Sequence, residues 1–137
     1  MRKILFFWAI ILGAYSCIQS HKSESPTNVK VVRKGAVIMA KPEKLALYKK
    51  LHAHPWESVI TKLKECNIHN YSIFYRNGYL FSYMEYTGTN WKQDMQKLAA
   101  DSTIQAWWKL TDPCQEPVSF AKDGEWWADM EEIFHSD

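Results

Sequence analysis

The chain has 137 residues, of which 47% are hydrophobic and 15% aromatic, with a formal net charge of +2. That length supports one domain with a single core and leaves no room for a second. Of the 17 basic residues, Arg2 and Lys3 belong to the extreme N-terminus; the other 15 balance the 15 acidic ones, which removes any electrostatic case for nucleic acid or an anionic membrane surface as partner.

Arg2 and Lys3 precede an unbroken apolar run, Ile4 to Leu12, that is too short to cross a bilayer. The small-residue stretch Gly13-Ala14-Tyr15-Ser16 then leads to Cys17. Residues 1–17 read as a signal peptide of an exported protein. In one reading Cys17 is the lipobox cysteine of a bacterial lipoprotein and is lipidated; in the other the segment is an ordinary secretory signal and Cys17 is idle. The expected location is the bacterial periplasm or a membrane, with the lipid anchor as the sole membrane contact. Residues 18–29, polar with three Ser, one Lys and one Pro, read as a flexible tether to a domain over residues 30–137. Cys66 and Cys114 are the remaining cysteines; export would permit them to pair, and two unpaired thiols are the other reading. With no CxxC, HExxH or calcium-loop pattern, no dedicated metal site is expected.

Val31 to Met39 has strand composition and stops at Lys41-Pro42, and Pro42 suits the first turn of a helix. On that helix Tyr48 and His52 are four apart, so both side chains fall on one face. Pro55 ends it and can open a second helix, in which Trp56, Val59, Ile60 and Leu63 form an apolar stripe. Ile68 to Tyr75 is a predicted strand, Asn77-Gly78 a two-residue hairpin turn, and Tyr79 to Thr87 the return strand. This register sets Tyr71 opposite Met84 and His69 opposite Tyr86, and places His69, Tyr71, Ile73 and Tyr75 on one face of the sheet.

Thr89 or Asn90 can cap a third helix with Trp91, Met95 and Leu98 on its buried edge. Ser102-Thr103-Ile104-Gln105 has the form of a capping box, which predicts a short helix from Ile104 to Leu110 that ends before Pro113. Cys114 to Glu125 reads as a loop and Trp127 to Phe134 as a last strand. The resulting order, β-α-β-β-α-β with split helices, predicts an α+β, ferredoxin-like fold: an antiparallel sheet with helices on one face. The open sheet face would suit a homodimer.

The pattern Tyr48-x-x-x-His52 with Trp56, then His69-Asn70-Tyr71, then Trp107-Trp108-Lys109 followed by Thr111-Asp112, and the closing Glu132-Ile133-Phe134, resembles the L-rhamnose mutarotase family. The similarity runs from about Val32 to Phe134. It implies a dimeric α/β barrel that needs no cofactor and interconverts the α and β anomers of L-rhamnose. It also implies that the residue matching His52 is the proton donor and that Tyr48, Tyr71, Trp107 and Trp108 contact the sugar. The chain departs from the family pattern at Ala53-His54-Pro55, where Asn and then Pro usually follow the histidine, and again at Pro113-Cys114-Gln115-Glu116-Pro117. The export signal is a third departure. These leave the sugar open between L-rhamnose, L-fucose and another aldose.

Mutarotation needs only positioned acid and base groups, each typically worth around 10²–10⁴-fold. Histidine is the natural proton shuttle near neutrality, so His52 takes that role, with His54 as competitor and His69 as a brace for its strand. Tyrosine is a poor base, so Tyr48 and Tyr71 are expected to hydrogen-bond or relay. Trp107 and Trp108 stand about 100° apart on a helix, so one should line the sugar and the other anchor the helix. Trp56, Trp91 and Trp126-Trp127 read as packing, and Lys109 and Asp112 as solvated surface, with Asp112 the one that could still meet a hydroxyl. Two other functions fit the same scaffold: a small cofactor-free or haem-dependent oxygenase, and a non-enzymatic sugar-binding lipoprotein.

Overall fold

The computed structural model describes residues 30–136. The segments read as a signal peptide and a tether, with Cys17, therefore lie outside the described residues. Strand β1 (Val32–Ala40) leads through a 3-10 turn at Pro42–Lys44 into helix α1 (Leu45–Ala53), and α2 (Glu57–Glu65) follows. The hairpin β2 (Ile68–Arg76) and β3 (Tyr79–Tyr86) precedes helices α3 (Trp91–Ala100) and α4 (Ser102–Thr111), and two short strands, β4 (Gln115–Glu116) and β5 (Ala128–Met130), close the chain. All pairings are antiparallel. The order is β2-β3-β1-β4, with β5 also on β1. This is the expected ferredoxin-like α+β arrangement.

Local signals account for most boundaries. Asn77 and Gly78 both have positive φ, 48° and 86°, as a twisted two-residue hairpin turn requires. Asn90 is the cap of α3, its Oδ1 accepting from Gln93 N at 3.1 Å. At α4 the expected capping box does not form: the Asp101 carboxylate accepts from Thr103 N at 2.9 Å and Ile104 N at 3.2 Å, so the helix opens at Ser102, two residues earlier than predicted. An ionised acceptor beside the positive helix end outcompetes a neutral Ser hydroxyl. The expected last strand is also shorter: β5 is Ala128–Met130 only, and Ile133 and Phe134 beyond it are 90% and 82% exposed.

The hairpin register holds from Arg76↔Tyr79 back to Ser72↔Tyr83 and then slips by one, so that His69 pairs with Glu85 and Ile68 with Tyr86. The extra residue is absorbed at Asn70, whose φ is 46°. A one-residue slip reverses every later side chain. Tyr71 keeps the helix-side face with Ile73, whereas His69 turns out with Glu85 and leaves the face predicted for it. Asn70 Nδ2 donates to Glu85 Oε2 at 2.5 Å, which ties the bulge to β3 on that outer side.

Between sheet and helices lie two apolar clusters. One joins Val59, Cys66, Ile68, Leu98, Ile104 and Trp107; the other joins Ile38, Ala40, Tyr48, Leu80 and Cys114. Cys66 and Cys114 are both buried and unpaired. A third cluster, Val37, Val118 and Ala128, lies on the outer sheet face.

Candidate functional site

Helices α1 and α4 and the inner face of β2 enclose a cavity of about 760 Å³, within the range of roughly 300–1,000 Å³ usual for small-molecule sites. Tyr48, His52, Tyr71, Trp107 and Trp108 all line it. The i, i+4 spacing on α1 puts the Tyr48 and His52 rings 4.1 Å apart at 31°. Trp107 then stands edge-on to both His52 and Trp56, with each centroid distance 5.4 Å. His54, at the C-cap of α1, and His69, on the outer face, line no part of it.

His52 Nδ1 lies 3.0 Å from the Tyr48 carbonyl oxygen. A carbonyl only accepts, so Nδ1 carries the proton and Nε2 is left with the lone pair in the neutral ring. Burial lowers the pKa of His52, and the bond to the Tyr48 carbonyl offsets part of that. The ring is thus neutral at pH 7, with Nε2 able to accept a proton.

Tyr48 is buried, and desolvation, reinforced by the neighbouring Tyr71 phenol, holds its pKa far above the usual value. Tyr71 is 40% exposed as a residue but lines the cavity, and desolvation pushes its pKa up to about 12. Before a sugar binds, both phenols are therefore protonated and present O–H donors to the cavity. Trp107 is 7% exposed and Trp108 37% exposed, so Trp107 is the packed member of the pair and Trp108 sits at the rim.

Four wall residues were not singled out from the sequence as functional. Trp91, Trp126 and Trp127, read as packing, line the cavity, and so does Gln115. Gln115 Nε2 donates to Tyr48 Oη at 3.1 Å, while Trp126 Nε1 donates to Gln115 Oε1 at 3.3 Å. Gln115 reaches α1 because β4 pairs Gln115 with Ala40, at the end of β1 from which α1 departs. No sequence pattern announces a two-residue strand, and the segment read as a featureless loop. Asp112, read mainly as solvated surface, also lines the cavity, and burial raises its carboxyl above the usual range. Among the described residues, no group of three or more His, Cys, Asp and Glu side chains is placed to hold a metal.

A site with acid and base groups between flat apolar walls suits a small polyhydroxylated ring. Solved structures share the architecture. The L-rhamnose mutarotase of Formosa agariphila superimposes with a TM-score of 0.62 at 19% identity, over 77% of this chain and 99% of that one. The tetracenomycin F2 cyclase of Streptomyces glaucescens, a type-II polyketide cyclase, gives 0.56 at 14%, over 77% and 97%. In sequence, the chain is 34% identical over 107 residues to the L-rhamnose mutarotase of Oceanobacillus iheyensis, covering 77% of this chain and 98% of that protein. It is 30% identical over 115 residues to that of Mannheimia succiniciproducens, covering 78% and 100%. The family model for L-rhamnose mutarotase matches residues 33–136. With that match spanning all but the first three described residues, the chain belongs to the L-rhamnose mutarotase family.

Proposed function

We propose that this protein interconverts the α and β anomers of L-rhamnose, or of a related 6-deoxy aldose such as L-fucose, by opening and reclosing the pyranose ring. The observation that carries the reading is the bond from His52 Nδ1 to the Tyr48 carbonyl, which leaves Nε2 for a ligand, beside two phenols in an aromatic cavity of a chain from this family.

Opening breaks the C1–O5 bond. His52 Nε2 takes the proton of the anomeric hydroxyl, the O–H electron pair becomes the second bond of the C1 aldehyde, and the C1–O5 pair goes to O5. A phenol, Tyr48 or Tyr71, delivers the proton that O5 needs. Rotation about C1–C2 exposes the other face of the aldehyde. Reclosure returns the O5 proton to the phenolate, and the imidazolium protonates the former carbonyl oxygen. His52 is therefore base in one half and donor in the other, as microscopic reversibility demands. Trp107 and Trp108 supply faces for the C–H patches and the C6 methyl of the sugar.

Magnetisation-transfer NMR on equilibrated L-rhamnose and L-fucose tests this directly. Wild type should speed exchange between the anomeric resonances and His52→Ala should not; no acceleration of either sugar by wild type would end the reading.

A homodimer fits the outer sheet face, where Phe74, paired with Phe81, is 62% exposed. Sedimentation velocity should give a dimer, and Phe74→Glu should shift it toward monomer. Export with lipidation at Cys17 rests on the N-terminal segment alone; mass spectrometry of the mature N-terminus from a membrane fraction would find the diacylglyceryl mass or its absence.

A further inference from the structure

We propose that Gln115 is a positioning residue that aims the Tyr48 hydroxyl proton into the cavity, making Tyr48 the phenol that protonates O5; this rests on the mutarotase reading. The direction follows from which groups can donate. An indole N–H has no acceptor capacity, so the atom of Gln115 facing Trp126 Nε1, at 3.3 Å, must be the amide oxygen. The amide NH2 therefore faces Tyr48 and donates to Oη at 3.1 Å. An oxygen that accepts there turns its own O–H elsewhere, and the open side is the cavity that Tyr48 lines. Gln115 is only 4% exposed, so water does not compete for either of its bonds.

The placement has a second consequence. Tyr71 lacks such an orienting partner among the hydrogen bonds of the described residues, so its O–H can rotate, whereas that of Tyr48 is fixed before the sugar arrives. Pre-aimed donors need no reorganisation when charge develops on O5. Gln115 itself touches no reacting atom and acts through Tyr48.

Two substitutions separate positioning from packing. Gln115→Glu keeps an acceptor for Trp126 Nε1, but at neutral pH its carboxylate would draw the Tyr48 proton toward itself and away from O5. The expected loss is about 10–100-fold in kcat, with KM for L-rhamnose within about twofold. Buried carboxyl groups titrate high, so lowering the pH from about 8 to about 5.5 should protonate the introduced acid and restore a donor to Tyr48. The ratio of variant to wild-type rate should then climb several-fold, a readout that divides out the wild-type titration of His52. Gln115→Met removes both bonds at similar volume; its ratio should stay flat with pH, and its loss should not add to that of Tyr48→Phe in the double variant.

A flat ratio for a folded Gln115→Glu variant overturns the proposal. Should that variant not fold, additive losses for Gln115→Met and Tyr48→Phe overturn it equally. A wild type without anomer exchange on either sugar sinks the mutarotase reading and this proposal together, whereas an active wild type with a flat ratio removes only the role of Gln115.

Discussion

The Nδ1–H of His52 is donated to the main-chain carbonyl of Tyr48, one helical turn back, at 3.0 Å. That bond turns an ordinary helical spacing into a chemical assignment. It fixes the tautomer, leaves Nε2 as the working atom, and holds the imidazole against the Tyr48 phenol.

Replacing His52 should therefore remove proton transfer without unfolding the domain. His52→Gln keeps a side chain able to donate to the same carbonyl. The expected loss in anomer exchange is about 10²–10⁴-fold, with a thermal midpoint close to that of wild type. Exchange NMR and a melting curve on the same sample check both halves.

Activity should also report the His52 titration. Burial depresses its folded-state pKa below the ordinary 6.5. The neutral, active form thus persists into mildly acidic solution, and kcat/KM should fall only below a pKa lying under 6.5. The stability sign is the same. Between the folded value and 6.5 the unfolded chain binds more protons, so stability rises with pH through that window and declines as pH drops across it.

The two tandem tryptophans should divide between stability and binding. Trp107, 7% exposed, packs on His52 and Trp56, and Trp107→Ala should destabilise by about 3–5 kcal/mol. Trp108, 37% exposed at the rim, should yield a nearly wild-type urea midpoint as Trp108→Ala while raising KM for the sugar.

The bulge at Asn70 predicts a conformational test. With φ at 46°, Asn70→Gly should be tolerated, whereas Asn70→Val places a β-branched residue in the left-handed region at a cost of about 1–2 kcal/mol. If the bulge aims Tyr71, the Val variant should also lose sugar affinity and the Gly variant should keep it. Equal KM values for the two would argue that the slip in register does not set the site.

A last prediction concerns acid stability. Asp94 accepts from Tyr86 Oη at 2.7 Å, Asn67 Nδ2 at 2.8 Å and Lys97 Nζ at 3.3 Å, and these bonds, led by that of Tyr86, hold its pKa below the usual carboxylate range. Its stabilisation is present above the ordinary value and is lost as pH falls through the depressed one. Melting curves of Asp94→Asn should show a weaker acid dependence than wild type. Gly88 is required beside this cluster, because a Cβ there would stand 2.7 Å from Asp94 Oδ2; Gly88→Ala should destabilise by about 1–3 kcal/mol.

Much of the fold was legible because its signals are local. Pro42 and Pro55 punctuate α1, Asn77-Gly78 sets a hairpin by backbone conformation alone, and Asn90 caps α3 with its own side chain. The pairing of Tyr48 with His52 was legible for the same reason, since helical geometry sets it. The misread positions are those where residues compete. Asp101 displaced Ser102 as the cap because a charged acceptor binds the helix end more strongly. His69 left the cavity face because Asn70 adopted a left-handed conformation that alternation does not encode.

By itself, then, the sequence determined the order of elements, the helix face that carries Tyr48 and His52, and the aromatic stretches available to wall a site, since each depends on residues within a turn or two of one another. The tertiary structure alone decided that Gln115, Trp126 and Asp112 join that wall, that Trp107 is the packed indole and Trp108 the rim, and that His69 faces away. Those outcomes depend on long-range strand pairing and on one slip in register, and contacts between residues as distant as Tyr48 and Gln115 leave no periodic trace in the chain.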